Sequence, residues 1–365
     1  MHATSFAILA SCVSQALAAT YALSDCYVGA AFLAAWQHQA IPDPTNGRVN
    51  YVDQATALAK NLTFVSDDSL ILRADDTTVL DPNGPGRDSV RIQSVKAYTT
   101  HVVIIDVRHM PQGCSTWPAF WESDVPNWPN GGEVDIVSLH FVRDVLTIRE
   151  LNIAATFSRI SALSIEGVND VTPNSMTLHT GSNCSMPANR TETGTPTALD
   201  CDVNTDNNSG CGAHAPTADS YGPPLNAIGG GWYAMERTND FISVWFFPRN
   251  RATPFDVSSG ALLVDTDHWG TPTAFFPNTD CDIDSQFDAN NIIINLTFCG
   301  DWAGIASVYS GAGCPGDCVD FVNNNPASFA DAYWDIAAVR VYESGGSLLR
   351  HRGMTDRLHR RSKFY

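Results

Sequence analysis

Three acidic side chains in two short segments could together form one catalytic group. Glu133 and Asp135 lie in Asn130-Gly-Gly-Glu-Val-Asp-Ile-Val, and Glu166 begins the segment Glu-Gly-Val-Asn-Asp. Removing residues 138–165 joins the two segments and produces the spacing Glu-x-Asp-x-x-Glu. Carboxyl groups about 5 Å apart beside a sugar bond support a double displacement with net retention. The spacing therefore favours cleavage of a glycosidic bond.

This chemistry requires a particular backbone beneath the carboxyl groups. On a strand, Glu133 and Asp135 share a face because successive side chains alternate. The third carboxyl, five positions after the first, would point away unless a β-bulge turned it back. One outer carboxylate would attack the anomeric carbon, and the other would protonate the leaving oxygen and then activate water. Asp135 would tune both pKa values through hydrogen bonds and like-charge repulsion.

The printed sequence interrupts this motif with residues 138–165. Ser138 occupies the place of the third carboxyl, and a hydroxyl with its very high pKa cannot act as a general acid. The segment contains no Gly, Pro, Trp or Cys, and its apolar residues approximate the spacing of a short amphipathic helix: Phe141, Val145, Ile148 and Leu151. An insertion at this point would sever a strand at its bulge. We interpret the segment as a gene-model insertion, such as a translated intron, rather than a natural helical insertion. The exact junction is ambiguous by one residue.

Short apolar runs separated by turn-forming residues predict an all-β chain. The runs include residues 102–107, 241–247, 292–298 and 336–342. Together with 26 Gly and 20 Pro, they suit a sandwich of many strands with long, ordered loops. We expect one domain, because no repeat or linker divides the chain. Three tryptophans within apolar runs are predicted to belong to the core: Trp232, Trp245 and Trp334.

The two ends of the chain differ from its body. Residues 1–19 contain no Lys, Arg, Asp or Glu and end in Ala-Leu-Ala-Ala, which predicts a secretory signal peptide. Residues 343–365 contain six basic and two acidic side chains and so contribute +4 to the net charge of −18. This basic tail is expected to be disordered. The acidic body disfavours nucleic acid and anionic membranes as partners, although it does not repel neutral sugars. We expect a secreted, extracellular protein.

Sequons and cysteines agree with an oxidising compartment. Five Asn-x-Ser/Thr sequons are present: Asn61, Asn183, Asn189, Asn207 and Asn295. Nine cysteines follow the signal peptide and should mostly form disulfides, with one left over. The segment Cys314-Pro-Gly-Asp-Cys318 is predicted to be a disulfide loop rather than a metal clip, because no Cys/His pair matches it. Three aspartates with approximate calcium-loop spacing are predicted to lie in a solvated turn: Asp200, Asp202 and Asp206.

An ordered set of segments resembles glycoside hydrolase family 16, in particular its fungal laminarinase-like members. Besides the Glu-x-Asp-x-x-Glu motif, the set spans residues 21–342 and includes Gly47-Arg-Val-Asn-Tyr-Val-Asp-Gln, Ile71-Leu-Arg-Ala-Asp, Val107-Arg-His-Met-Pro-Gln-Gly-Cys-Ser-Thr-Trp-Pro, Met176-Thr-Leu-His-Thr, Gly229-Gly-Gly-Trp-Tyr-Ala-Met-Glu-Arg and Phe298-Cys-Gly-Asp-Trp-Ala-Gly. The resemblance implies a jelly-roll β-sandwich of two curved antiparallel sheets over residues 20–342. It also implies an open substrate cleft on the concave face.

The resemblance assigns roles to individual residues by their place in these motifs. Glu133 matches the nucleophile, Asp135 the assisting carboxylate and Glu166 the acid/base. Five further residues match the cleft: Arg91, Trp121, Trp128, His179 and Trp302. Indole faces stack on pyranose rings, and Arg and His donate hydrogen bonds to hydroxyls. The sequence is equally compatible with His179 as a structural histidine, and no role is assigned to His109, His214 or His268.

The implied activity is endo-acting hydrolysis of β-1,3 or mixed β-1,3/1,4 glucans with net retention. Transglycosylation remains an alternative, because a sugar hydroxyl can replace water while the carboxylates stay the same. An inactive carbohydrate-binding sandwich is a second alternative if residues 138–165 belong to the protein. We expect a monomer whose partner is a β-glucan polysaccharide, without a cofactor or a metal.

Overall fold

The computed structural model describes residues 20–138, 167–206 and 208–344. The described residues form 21 strands: β1 Thr20–Tyr27, β2 Trp36–His38, β3 Val49–Tyr51, β4 Thr63–Val65, β5 Leu70–Arg73, β6 Arg87–Ser89, β7 Arg91–Tyr98, β8 His101–His109, β9 Thr116–Ser123, β10 Glu133–Ser138, β11 Ser175–His179, β12 Cys184–Ser185, β13 Thr195–Pro196, β14 Cys211–His214, β15 Gly231–Arg237, β16 Phe241–Pro248, β17 Leu263–Asp265, β18 Ala274–Pro277, β19 Asp280–Cys281, β20 Asn290–Phe298 and β21 Tyr333–Glu343.

Helices are short and lie in the connections between strands. The α-helices are α1 Ala31–Ala35, α2 Gln54–Ala59, α3 Gly222–Ala227, α4 Phe255–Ser258, α5 Ile283–Gln286, α6 Gly300–Ala303, α7 Ala306–Gly311 and α8 Cys318–Asn324. Single 3₁₀ turns cover Val125–Asn127, Ala218–Ser220, Thr266–His268 and Pro326–Phe329. Within the described ranges, no helix has the length and apolarity needed to cross a membrane.

Two large sheets form the body of the protein. The first has nine strands along the path β17-β1-β21-β8-β15-β16-β18, with β5 pairing β21 and β4 pairing β5. The second has eight strands in the order β13-β14-β11-β10-β9-β20-β7-β2. Neighbouring strands in both sheets are antiparallel. The predicted all-β sandwich is therefore confirmed.

The main core lies between the two sheets. Val134 and Ile136 from the second sheet and Val103 and Ile105 from the first are completely buried in it. A second apolar cluster covers the opposite face of the first sheet, where Val102 and Ile104 are buried, again completely. Because β8 is covered on both faces, its sequence is a continuous apolar run rather than an alternating one.

The three tryptophans predicted to be core residues are buried, although in two different places. Trp334 is in the main core, between the sheets. Trp232 and Trp245 lie in the second cluster, outside the first sheet. A buried polar contact also joins the two sheets: Nε2 of His101 on β8 lies 2.9 Å from Oε1 of Glu122 on β9.

The disulfides confirm the expected pairing of most cysteines but correct one detail. Four bonds form, Cys114–Cys314, Cys184–Cys281, Cys201–Cys211 and Cys299–Cys318, and Cys26 is the free, exposed thiol among the described residues. The predicted loop disulfide within Cys314–Cys318 is wrong. Cys318 opens helix α8, where it bonds Cys299 in front of helix α6, while Cys314 follows helix α7 and bonds Cys114 instead.

Three of the sequence predictions lie outside the described residues. They are the signal peptide over residues 1–19, the insertion with its helical spacing, of which residues 139–165 are undescribed, and the disordered tail beyond residue 344. Two single residues with predicted roles, Glu166 and the sequon asparagine Asn207, also lie outside them.

Replacing Cys114 and Cys314 together by Ser should destabilise the protein more than replacing Cys201 and Cys211 together. The first bond spans 200 residues and the second spans ten. Because the entropy of closing a loop grows with its length, the longer cross-link should contribute about 2 kcal/mol more. Equilibrium unfolding in urea of the two double variants measures the difference. Equal losses, or a larger loss from the short loop, would contradict the prediction.

Candidate active site

The site is built on β10, near the middle of the second sheet. Glu133 and Asp135 both face the outer side of the sheet, where they line a cavity of about 740 Å³. Val134 and Ile136 alternate with them and face the main core. Glu133 is paired with Ser123 of β9 and with His179 of β11. The alternation expected from a strand therefore places the two carboxylates side by side.

A β-bulge follows directly after Asp135. The register shifts between Asp135 and Val137 against β9, and between Asp135 and Ser138 against β11. Ile136 and Val137 are consecutive, yet both are completely buried in the core. The bulge that the motif required is therefore present.

Asn174 supports this bulge from the neighbouring chain segment. Its amide Nδ2 donates a hydrogen bond of 2.9 Å to the carbonyl oxygen of Ile136. A bulge leaves a backbone group without its partner in the ladder, so this buried side chain supplies the missing donor. Sequence reasoning missed Asn174, which no motif or spacing distinguishes from the other asparagines.

Glu133, Asp135 and His179 form a compact charged cluster. Their side-chain oxygen and nitrogen atoms lie within 4.8 Å of one another, and Nε2 of His179 is 3.3 Å from Oδ2 of Asp135. Asp135 and His179 are buried, whereas Glu133 is partly exposed in the cavity. These are the described residues closest to a metal-binding arrangement.

The cluster shifts its own protonation equilibria. Burial, together with the negative charge of Asp135, raises the pKa of Glu133 from its ordinary 4.5 to about 8. Burial alone would lower the pKa of His179, but the contact with Asp135 and the charge of Glu133 outweigh burial and raise it. The histidine therefore favours a positive charge beside two carboxylates.

Arg91 and Trp121 form one wall of the cavity. The guanidinium carbon of Arg91 lies 5.0 Å from the centre of the Trp121 ring. Nε of Arg91 donates to Oε1 of Gln39 at 2.7 Å, and the indole nitrogen of Trp121 donates to Oδ1 of Asn295 at 2.8 Å. These bonds hold both side chains in fixed orientations, with the indole ring partly exposed.

Two other predicted residues, Trp128 and Trp302, line the cavity at different positions. Trp128 is 43% exposed, so its ring is available to a ligand. Trp302 is buried and packs edge-on against Trp117, with ring centres 5.3 Å apart. Arg91, Trp121, Trp128 and Trp302 are thus brought together around one cavity, with His179 beneath its acidic floor.

Several cavity residues were not found from the sequence. They are polar residues of strands β9 and β20, of helix α6 and of loops, to which the sequence analysis assigned no role: Asp43, Thr45, Ser123, Asn208, Thr297 and Asp301. Asp43 shows why such residues were missed. Its Oδ2 accepts hydrogen bonds from Thr45, from the backbone of Gly47 and from Thr297, which is 254 residues away. The contact to Thr297 exists only after folding.

Asn295 has two properties that distinguish it from the other described sequon asparagines. It is 6% exposed, and its Nδ2 donates to the hydroxyl of Tyr51. A glycan on that nitrogen would have to displace these buried contacts. Asn61, Asn183 and Asn189 are exposed, which makes them the better acceptors.

The chain on either side of the undescribed segment packs against the same domain. Ser138 is paired with Ser175, a residue that alternates with core-facing Met176 and Leu178 on β11. After the segment, Oδ1 of Asn169 accepts from the backbone of Ser115, and its Nδ2 donates to the carbonyl of Ala303. Glu166 itself lies outside the described residues.

The chain matches the model of a family of catalytic domains. A family model described as the XgeA-like, catalytic GH16 domain matches residues 36–140 and 164–342. The match therefore passes over residues 141–163.

Comparison with individual proteins gives the same result. Laminarinase 16A from Phanerochaete chrysosporium, solved with two β-glucans in donor and acceptor sites, is 66% identical, with a TM-score of 0.81 over 89% of this chain and all of that one. An elongating GH family 16 β-1,3-glucosyltransferase is 36% identical, with a TM-score of 0.75 over 88% of this chain and 99% of that one. A probable endo-1,3(4)-β-glucanase of Aspergillus fumigatus is 38% identical over 94% of this chain, which spans 49% of that protein.

Glu133→Gln should make the protein more stable than the parent at pH 8, and the gain should shrink towards pH 4.5. The folded protein holds the proton of Glu133 up to about pH 8, whereas the unfolded chain loses it near 4.5. Ionisation therefore opposes folding increasingly as the pH rises through this interval. A neutral amide removes this unfavourable ionisation, so the difference in the free energy of unfolding between the variant and the parent should grow with pH.

Calorimetric melting temperatures of the parent and Glu133→Gln, measured across this pH range, test the prediction. Glu343→Gln, at an exposed ion pair with Lys96, is the control and should show no gain that grows with pH. A constant or decreasing gain for Glu133→Gln would show that its carboxylate is not destabilised in the fold.

Proposed function

This chain belongs to glycoside hydrolase family 16, and from that premise we propose that it is an endo-acting hydrolase of β-1,3 or mixed β-1,3/1,4 glucans. One observation carries the proposal: two carboxylates, Glu133 and Asp135, lie side by side on a bulged strand at the floor of a cavity with indole walls. Indoles stack on the C–H faces of pyranose rings, and a neutral polysaccharide is compatible with the strongly acidic chain.

The reaction proceeds as a double displacement with retention. A carboxylate oxygen of Glu133 attacks the anomeric carbon as the glycosidic C–O bond breaks, and Glu166 gives its proton to the leaving oxygen. Water then attacks the glycosyl-enzyme ester, and Glu166 takes up a proton from that water. This second step breaks the ester, releases the sugar product and regenerates the carboxylate of Glu133. Arg91 and the exposed ring of Trp128 orient the sugar residues along the cavity.

Asp135 and His179 adjust the charge of the nucleophile. Glu133 must be ionised to attack, whereas burial and Asp135 raise its pKa to about 8 in the free protein. His179, whose own pKa is raised by these carboxylates, brings a compensating positive charge 3.3 Å from Asp135. In this proposal His179 acts in the site and is more than a structural residue.

Residues 138–165 are proposed to lie outside the functional catalytic domain. The family match omits residues 141–163, and the paired part of β10 ends at Ser138, directly after the bulge. Joining Val137 to Glu166 would put a carboxyl opposite Ser175, on the β11 face that also bears His179 and Thr177. This is the position at which a double displacement needs its acid/base.

Transglycosylation is the second candidate, because the elongating glucosyltransferase similar to this chain belongs to the same family. Both reactions pass through the same glycosyl-enzyme, and they differ in whether water or a sugar hydroxyl accepts it. Mass spectrometry of the products from laminarin oligosaccharides separates them, since only transfer yields chains longer than the substrate.

The place of action is proposed to be extracellular. Four disulfides hold the described domain, and such bonds persist in oxidising compartments. The apolar stretch within residues 1–19 would direct the chain there and be removed. We propose that the mature protein acts as a monomer on β-glucan, without a cofactor.

The chain lacking residues 138–165 should release reducing ends from laminarin, lichenan or both. Glu133→Gln in this shortened chain should lower the rate at least about 10³-fold, because no other group can form the glycosyl-enzyme. Asp282→Asn, at an exposed aspartate far from β10 in sequence, is the matched control and should retain the activity. No product from either glucan would refute the proposed function.

The 365-residue chain as printed should show little or no turnover on the same glucans. Its proposed acid/base carboxyl, that of Glu166, is separated from Val137 by 28 residues, so we expect that the leaving oxygen receives no proton. Initial rates of the two chains, compared at equal concentration, test this. Rates within about tenfold of each other, which correspond to roughly 1.4 kcal/mol in the barrier, would contradict the displacement of Glu166.

A further inference from the structure

The segment between Cys201 and Cys211 contains two residues, Asn208 and Gly210, that lie next to the ring of His179. The two cysteines form a disulfide, and the backbone N–H of Thr180 donates to the carbonyl of Cys201 at 2.9 Å. The loop is thereby fixed to the end of β11, directly beyond His179. A side chain on this loop has a defined position relative to the imidazole.

Gly210 shows how closely the loop approaches the ring. A methyl group added at this residue would come within 2.5 Å of Cε1 of His179 and 2.5 Å of the carbonyl oxygen of Leu178. The backbone there also has a φ of +61°, which favours glycine. Because Gly210 has no side chain, its backbone can lie directly against the imidazole of His179. The backbone in turn prevents the ring from moving in that direction.

Asn208 makes the polar contact from this loop. Its Oδ1 lies 3.1 Å from Nδ1 of His179, and its side chain also reaches the wall of the cavity. An amide oxygen accepts hydrogen bonds, so this contact is a hydrogen bond when Nδ1 of His179 carries a proton. On the other side of the ring, Nε2 faces Oδ2 of Asp135 at 3.3 Å.

These two contacts together determine the charge of the pair. If Nδ1 carries the only proton of a neutral ring, Nε2 presents a lone pair to a carboxylate oxygen, which is repulsive. A second proton on Nε2, directed at Oδ2 of Asp135, replaces this repulsion with an attraction. The His179–Asp135 pair then has no net charge, whereas a neutral ring donating through Nε2 would leave the pair with a charge of −1.

We propose that Asn208 is a positioning residue for the reaction, which holds His179 in its doubly protonated form and thereby favours ionisation of Glu133. The proposal rests on the proposed function. Among the described residues, Glu133 and Asp135 of β10 are the charged groups that raise the pKa of His179. The loop side contributes uncharged groups, Asn208 and Gly210, and Arg91 acts on Glu133, whose pKa it lowers.

The test is the protonation of His179 followed by nitrogen-15 NMR in the full-length chain. In the parent, both ring nitrogens should be protonated at neutral pH. Asn208→Gly removes the acceptor but suits the positive φ of +63° at this position. It should lower the pKa of His179 by about one unit or more, because a hydrogen bond to the charged form is lost.

Two further variants make the result specific. Asn208→Asp retains an acceptor, tolerates the same backbone conformation and should keep the ring doubly protonated. Asn204→Ala alters a side chain of the same loop that donates to Asp202, and it should leave His179 unchanged. All three substitutions preserve the Asn207-x-Ser sequon.

The pH dependence of kcat/KM in the shortened chain provides the functional readout. With Asn208→Gly, the acidic limb should move to higher pH, because the positive charge beside Glu133 is lost. A parent ring without a proton on Nδ1, or a pKa of His179 that does not change in Asn208→Gly, would overturn the proposal. The NMR result is independent of glucan hydrolysis, so it distinguishes failure of this inference from failure of the proposed function.

Discussion

The bulge after Asp135 is the constraint on which the rest of the site depends. A regular strand would present Glu133 and Asp135 outward but turn the next carboxyl of the motif into the core. The bulge buries Ile136 and Val137 together and so resets the alternation for the following residue. It is stable because Asn174 satisfies a carbonyl that the ladder leaves unpaired, and because β9 and β11 hold the strand from both sides.

Two neighbouring carboxylates on one strand repel each other when both are ionised, unless positively charged groups lie nearby. Ionised groups whose atoms lie within 4.8 Å of each other repel where burial reduces screening by water. The fold brings His179 to them from the adjacent strand β11, and Arg91 also lowers the pKa of Glu133. The ring of His179 is then held by the disulfide-closed loop that bears Asn208. Glu133, Asp135 and His179 therefore form one structural unit.

The sequence predicted most of what local pattern determines. The strands β8, β16, β20 and β21 follow from apolar runs, since a strand buried on both faces needs no alternation. The sequence did not predict which residues distant along the chain would be partners in the fold. Cys314 and Cys318 are four residues apart, yet they bond Cys114 and Cys299; Cys314 precedes helix α8, and Cys318 is its first residue. Asn174 and Asn208 belong to no motif, and only the folded register shows which polar groups they serve.

The same register explains why the position of residues 138–165 matters chemically. A loop between strands tolerates long insertions at small entropic cost, and such insertions leave the ladder intact. This segment begins at Ser138, where β10 is still paired with Ser175, and not in a loop. A carboxyl at that position would be placed by the pairing with Ser175 of β11. Catalysis by two carboxylates needs their separation fixed within a fraction of an ångström, and a continuous bulged strand provides such fixation.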